Sequence, residues 1–253
     1  MPASLKTIEM ELTALLNPGQ FDDYCPNGLQ VQGREEVHSV ISGVTACKAL
    51  IDRAIDESAD MLLVHHGYFW RGEDSTVTGI KRARIQALLA HDINLFAYHL
   101  PLDVHPELGN NMQLGRLLGL RIQGEFASYR GRNIGLVGSL DSSHGIQEFT
   151  SLLESRLQRK PLVIAQDNAR IKTVAWCTGA AQNYIEQAVS AGVDAFLTGE
   201  VSEQTVHIAR ESGISFFAAG HHATERYGVQ AVGAYLAEKF GLDHRFIDID
   251  NPA

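Results

Sequence analysis

Asp60-Met61-Leu62-Leu63-Val64-His65-His66-Gly67 runs four apolar residues into two adjacent imidazoles and a glycine. A short apolar run without polar alternation suits a strand buried on both faces, as at the centre of a parallel sheet. Its flanks agree. Upstream, residues 47–58 place Leu50, Ile51, Ala54 and Ile55 on one helical face, and Ser39–Val44 before them reads as a strand. Downstream, the pattern predicts a helix around 82–91, a strand over Ile93–Tyr98 and a helix near 111–118. At the start, 4–16 is an amphipathic helix carrying Leu5, Ile8, Leu12, Leu15 and Leu16. Pro18-Gly19 closes it, and the loop Asp22–Gly28 leads to Leu29-Gln30-Val31. Strands alternating with helices define an α/β fold.

The second half repeats this grammar. Val174–Thr178 reads as a strand, 180–191 as a helix with Tyr184, Ile185, Ala188 and Val189 on one face, and Ala195–Thr198 as a strand entered from Asp194. A helix near 203–211, a strand over Ile214–Ala219 and a helix over 222–240 follow. A shift of 134 positions carries Ala46, Ile51, Ala54, Asp60 and Leu63 onto Ala180, Ile185, Ala188, Asp194 and Leu197, and apolar Leu62 onto Phe196. This reads as a duplicated unit. Between the halves, 121–165 reads as shorter strands with one helix, punctuated by Gly124, Gly131, Gly135 and Gly138. The expected organisation is a first α/β half over 1–125 and a second over 126–253, with the C-terminal tail able to pack back on the first.

The formal charge of −9 opposes non-specific binding to nucleic acid or an anionic membrane surface. No apolar run approaches the roughly 20 residues that span a bilayer, and the N-terminus lacks the basic start and apolar core of a signal peptide. Cys25, Cys47 and Cys177 have neither zinc-site nor redox-motif spacing. A cytoplasmic protein with reduced thiols and a small-molecule partner is expected.

In open α/β sheets ligands bind beyond the carboxyl ends of the strands. There the sequence places His65-His66, then His99 through Asp103 to His105, then Glu200 and Glu203, then His221-His222 and Glu225. Imidazoles and carboxylates along one sheet edge are what a divalent metal site requires. Successive side chains of a strand diverge, so His65 and His66 suit separate ions of a two-metal centre. His221 and Glu225, four apart where a helix begins, share a face, and a glutamate there could bridge two cations. Asp103 adds a hard oxygen. The set His65, His66, Asp103, His221 and Glu225 would leave open positions for water made acidic by the cations.

A lone histidine at a strand end is ordinarily hydrogen-bonded scaffold. Two histidine pairs with carboxylates at corresponding strand ends favour a metal site instead. His38, His91, His144, His207 and His244 have no such company and read as surface or edge residues. His99 and His105, near Asp103, read as residues behind the ligands or touching substrate. Glu200 and Glu203 suit a general base, an orienting group or surface charge, with Glu200 placed near the site. Tyr68, Phe69 and Trp70 suit either a stacking wall for a flat base or ordinary packing. There is no Walker-type phosphate loop. Lys81, Arg82 and Arg84 are the nearest basic cluster, and a solvated helix start is the favoured reading.

The segments DYCPNGLQV, SGVTA, LVHHGYFW, HLPLDVHPELGNN, WCTG, DAFLTGEVSEQ, GHHATER and FIDIDNPA, in this order and along essentially the whole chain, resemble the GTP cyclohydrolase 1 type 2 homolog family. It is also called the Ngg-interacting-factor-three-like family, and the likeness is to its short bacterial, YbgI-type members. The resemblance implies two similar, intertwined α/β halves with mixed sheets and a dinuclear metal centre in the cleft between them. It implies that His66 and Asp103 bind one metal, that His65 and His221 bind the other, and that Glu225 bridges both. His221 matches the family's ligand, leaving His222 without a role. It also implies a ring-shaped homohexamer. Longer members carry an extra domain between the halves, which the short 121–165 region replaces here.

The resulting expectation is a metal-dependent hydrolase of a nucleotide-like heterocycle, holding two divalent ions drawn from zinc, iron, manganese or nickel. His99 or a nearby carboxylate such as Glu200 would shuttle the proton. The alternatives are a non-enzymatic metal-binding or regulatory ring protein and a two-metal phosphoesterase.

Overall fold

The computed structural model describes residues 2–253. A two-residue strand, β1 (Ala3–Ser4), runs straight into helix α1 (Leu5–Leu16). Ser4 starts the helix by accepting the Thr7 N–H on its hydroxyl, and Leu5, Ile8, Leu12 and Leu16 form its buried face. Then come β2 (Gly28–Val31), β3 (Glu36–Val37), β4 (Ser39–Thr45), α2 (Lys48–Asp56), β5 (Met61–His66), α3 (Gly79–Ala90), β6 (Asn94–Ala97) and the short α4 (Leu100–Val104). After α5 (Asn110–Leu117), strands β7 (Arg121–Tyr129) and β8 (Arg132–Gly145) form a long hairpin. The rest runs α6 (Ile146–Leu157), β9 (Leu162–Ile164), β10 (Arg170–Trp176), α7 (Ile185–Ser190), β11 (Ala195–Thr198), α8 (Glu203–Ser212), β12 (Ser215–Ala218), α9 (His221–Thr224), α10 (Arg226–Phe240) and β13 (Asp243–Phe246). None of the described helices is long and apolar enough to cross a membrane.

The chain forms two α/β units. The first takes the chain up to Leu108 together with Gly228–Asp250, and the second takes Gly109–Tyr227 with Asn251–Ala253. The chain thus leaves the first unit, builds the second and returns. Position 125, where the sequence suggested a boundary, lies inside β7, and β7 pairs with β8 along most of its length.

The first unit has a five-stranded mixed sheet in the order β13-β4-β5-β6-β2. The strands β13, β4, β5 and β6 are parallel, and β2 is antiparallel on the β6 edge. Met61 and Leu63 of β5 enter the core with Ile8, Leu12, Val232 and Leu236, whereas Leu62 and Val64 enter the opposite core with Leu50, Ile51 and Leu88. The uninterrupted apolar run is therefore buried on both faces, as its lack of alternation predicts. The second unit has a mixed sheet in the order β7-β8-β10-β11-β12-β9, with β10, β11 and β12 parallel. Its central strand follows the same rule: Ala195 and Leu197 enter one core and Phe196 the other.

The duplication read from the sequence has an atomic counterpart. Asp60, just before β5, accepts the backbone N–H groups of His38 (2.7 Å) and Ser39 (3.0 Å) and the Ser39 hydroxyl (3.3 Å). Asp194, just before β11, accepts those of Lys172 (3.0 Å) and Thr173 (2.8 Å) and the Thr173 hydroxyl (2.8 Å). The same carboxylate clamp pins the first parallel strand pair of each unit.

Three features escaped the sequence pattern. The helix expected over 222–240 breaks at Glu225 (φ −110, ψ 10) into α9 and α10. The region expected to hold shorter strands contains the 14-residue β8. And β13, Asp-His-Arg-Phe, pairs with β4 at the sheet edge although it has no apolar run to announce it.

Asp60 is buried and also pairs with Arg34 at 2.6 Å, while Asp194 is exposed. Asp60→Ala should therefore cost about 2–3 kcal/mol and Asp194→Ala about 1 kcal/mol, read by urea denaturation. Burial acts to raise the Asp194 pKa, but the N–H groups of Thr173 and Lys172 and the Thr173 hydroxyl hold it below its ordinary value. A carboxyl depressed in the folded state stabilises above its unfolded pKa of roughly 3.9 and loses that contribution as pH falls through the folded value. Asp194→Asn should accordingly flatten the pH dependence of stability below about pH 4.

Candidate metal centre

In the first unit the parallel strands β4, β5 and β6 end side by side, so the residues just past them collect. Register pairs Thr45 with His66 and Val64 with Ala97, two residues before His99. His65 is fully buried, and its Nδ1 lies 2.9 Å from the Tyr98 carbonyl. A carbonyl only accepts, so Nδ1 donates and Nε2 keeps the lone pair of the neutral ring. That Nε2 faces Asp103 Oδ1 at 3.4 Å. His66 Nδ1 and the Thr45 hydroxyl are 3.1 Å apart. His99 Nδ1 donates to Asp23 Oδ1 at 2.9 Å.

Strand alternation predicts that His65 and His66 diverge. Instead their ring centroids are 4.5 Å apart at the end of β5. His99 lies 5.0 Å from His65 and 5.9 Å from His66, and one ligating atom from each of the three falls within 4.8 Å of the others.

In the second unit β12 ends at Ala218, and α9 begins with His221 after Gly220. His221 Nδ1 donates to Glu200 Oε1 at 2.7 Å, and Nε2 faces Glu225 Oε2 at 3.1 Å. Burial lowers the His221 pKa, but the hydrogen bonds and charges of Glu225 and Glu200 outweigh it and raise it to about 9. Gly179, beyond β10, has φ +68, and a Cβ there would lie 2.1 Å from Glu225 Oε1. A glycine is needed both for that backbone angle and for the carboxylate to lie against it. The 134-residue shift that superposes the two clamps carries His66 onto Glu200 and Thr45 onto Gly179. The scaffold is repeated and its donor atoms are not.

This donor set fits divalent cations. In each unit an imidazole has its Nδ1 engaged and turns Nε2 toward a carboxylate oxygen. Two such lone pairs repel unless a positive species lies between them, a proton or a metal ion. A histidine that spends its other nitrogen on a neighbour is the usual form of a metal-ligating imidazole. Asp23, Cys25 and His99 also bring ligating atoms together within 4.8 Å. Burial and the carboxylates of Asp23 and Asp103 push the Cys25 thiol pKa up, and Asp23 is already saturated with donors.

Asp23 and Thr45, which the sequence pattern did not single out, hold the rings of His99 and His66. Asp23 accepts from Tyr24 N (2.7 Å) and His99 Nδ1 on one oxygen, and from Asn27 Nδ2 (2.9 Å) and Leu100 N (3.0 Å) on the other. Its side chain is buried, which raises its pKa, yet the bonds to His99, Asn27 and Leu100 hold it below the ordinary value. The available signal was the turn-rich Asp-Tyr-Cys-Pro-Asn-Gly stretch, where a buried Asx residue would have been worth seeking.

The three aromatics after Gly67 separate. Tyr68 is core, with its hydroxyl donating to the Ala46 carbonyl at 2.7 Å. Phe69 is exposed and carries Lys81 Nζ 5.1 Å from its ring centroid. Trp70 stands at the imidazoles, 5.9 Å from His66 and 5.2 Å from His99, with Tyr24 beside it at 5.7 Å. Lys81 pairs with Glu73 at 3.1 Å. His222 is buried, and its backbone N–H reaches the Ala253 carbonyl at 3.3 Å.

The model of the Duf34/NIF3 (NGG1p interacting factor 3) family matches residues 3–252. A Pseudomonas aeruginosa protein named GTP cyclohydrolase 1 type 2 homolog is 54% identical over 253 residues, covering all of both chains. An Escherichia coli K12 protein of the same name is 50% identical over 254 residues, covering 98% of this chain and 100% of that protein. Among solved structures, protein ybgI, described as of unknown function, superposes with a TM-score of 0.94 at 49% identity, covering 99% of this chain and 100% of its own. A Thermus thermophilus protein superposes with a TM-score of 0.87 at 32% identity, with the same coverage.

The Asp23 arrangement can be tested directly. An asparagine at 23 would turn its amide NH2 toward donors on one side whichever way it flips. Asp23→Asn should lower stability by roughly 2–3 kcal/mol in urea denaturation and release the His99 ring, seen as a shifted imidazole resonance. A wild-type denaturation midpoint would show that these contacts do not hold His99.

Proposed function

We propose that this chain, which belongs to the Duf34/NIF3 family, is a metal-dependent hydrolase of a nucleotide-like heterocycle that binds two divalent ions. The observation that carries the reading is the paired geometry of Nε2 and carboxylate, at His65–Asp103 in the first unit and His221–Glu225 in the second. His65, His66, Asp103, His221 and Glu225 would hold the ions, the set that the sequence resemblance implies. Mixed nitrogen and oxygen donors suit zinc, iron, manganese or nickel. When bound, such ions supply Lewis-acid polarisation and lower the pKa of water.

The chain's own groups supply the rest. Tyr98, Thr45 and Glu200 fix the rings of His65, His66 and His221 through Nδ1. Glu200 also takes the Gln182 amide at 3.3 Å, which supports an orienting role for it. His99, locked by Asp23, keeps Nε2 as the base and serves as the proton shuttle. Trp70, beside both His66 and His99, offers a flat wall to a heterocycle. The names of the relatives, GTP cyclohydrolase 1 type 2 homolog, support a purine nucleotide as the first compound to try. A ring-shaped homohexamer, implied by the sequence resemblance, and a cytoplasmic location, expected from the cysteine spacing and the N-terminal composition, complete the proposal.

Metal analysis tests the ligand set. Glu225→Ala should lose both ions, and Asp103→Ala should lose one preferentially. Retention of both ions by the Glu225→Ala protein would sink the assignment. Activity is tested by a product screen of metal-loaded protein against GTP and other nucleotides, beside His65→Ala/His66→Ala. Turnover should be present in the first and absent from the second.

A further inference from the structure

Arg159 follows α6 in the second unit and lies across the backbone that leads into His221. A Cβ built on Gly220 would sit 2.4 Å from Arg159 Nε and 2.6 Å from its Cδ, and Gly220 has φ +98. Glycine at 220 therefore does two things: it adopts the left-handed angle, and it leaves room for the guanidinium stem. The Arg159 side chain is half-buried, and its Nε is fully so. Among the described residues that Nε has no hydrogen-bond partner, and no carboxylate pairs with the guanidinium.

Several other basic residues have carboxylate partners. Arg34 pairs with Asp60, Arg71 with Asp22, Arg121 with Asp141 and Lys81 with Glu73. The C-terminal end of α6 favours a nearby cation, but Arg226 fills that role, with Nη2 donating to the Leu157 carbonyl at 2.5 Å. Arg159 is thus a second guanidinium at the same corner, without an acceptor. Partial burial of a guanidinium without an anion costs hydration that nothing returns. A planar fork of N–H donors returns it when a tetrahedral oxyanion docks.

We propose that Arg159 is an oxyanion subsite, taking a phosphate group of the bound molecule beside His221. Arg226 adds positive potential from its anchored position. The subsite rests on the hydrolase reading for what the molecule then undergoes, and not for the binding itself. It also narrows the substrate to a phosphorylated compound.

The test is calorimetric titration of the metal-loaded full chain with inorganic pyrophosphate, with metal content measured on the same samples. Arg159→Ala should weaken binding about tenfold or more, the loss expected for a charge-assisted bond, while metal content and melting temperature stay at wild-type values. Arg159→Lys, which keeps the charge and loses the fork, should fall between. Unchanged affinity in Arg159→Ala overturns the proposal, since the anion would then be held by metal alone. Loss of metal together with affinity also overturns it, because Arg159 would then be a prop for His221. So does a wild-type protein that binds no pyrophosphate. Titration of metal-stripped protein separates the two readings: binding there should be weaker overall and still depend on Arg159, even if no hydrolase activity is found.

Discussion

The hydrogen bond from His65 Nδ1 to the Tyr98 carbonyl is the constraint on which the first unit's site depends. It joins the end of β5 to the residue just past β6, two neighbours in a parallel sheet. It fixes the ring, assigns its tautomer and leaves Nε2 toward Asp103. None of this would hold if β5 were an edge strand, free to fray. The apolar run Met61–Val64, buried on both faces, is what makes the end of the strand rigid enough to aim an imidazole.

The second unit reaches a comparable result with different atoms. Asp60 and Asp194 make the same clamp, so the strands that carry the donors start from equivalent points. At the far ends, Glu200 stands where the shift places His66, and Gly179 stands where it places Thr45. The first unit therefore gathers imidazoles. The second presents a single imidazole between two carboxylates. A duplicated scaffold with unlike ends thus offers a nitrogen-rich donor set in one unit and an oxygen-rich set in the other.

The sequence made legible whatever depends on local pattern. The central strands showed as unbroken apolar runs, and the clamp aspartates showed as a repeated position. The strand-end histidines and carboxylates could be collected because ligand sites in open sheets follow a topological rule. What stayed hidden depends on long-range placement. Asp23 is 76 positions from His99, so no local period joins them. The closeness of the His65 and His66 rings, 4.5 Å between centroids, is something strand alternation alone cannot anticipate. The break at Glu225 lies inside a continuous helical pattern. It frees Glu225 to turn its carboxylate over Gly179, and the glycine's significance appears only when that contact is seen. In β13, pairing with β4 outweighs an unpromising composition, as edge strands allow.

Charge joins these threads. A chain of net charge −9 repels anionic ligands at long range, and each unit's donor set adds carboxylates, Asp23 and Asp103 in the first and Glu200 and Glu225 in the second. Without a cation the electrostatics already demand a positive species, as the raised pKa of His221 between Glu225 and Glu200 makes plain. Divalent ions would meet it at both donor sets and reverse the local sign, so that an anion could approach. Arg159, held half-buried beside His221, extends the same field outward by one more positive group. With such ions bound, an acidic protein would select a phosphorylated ligand, because the attraction would exist only at the short range where cations and guanidinium act together.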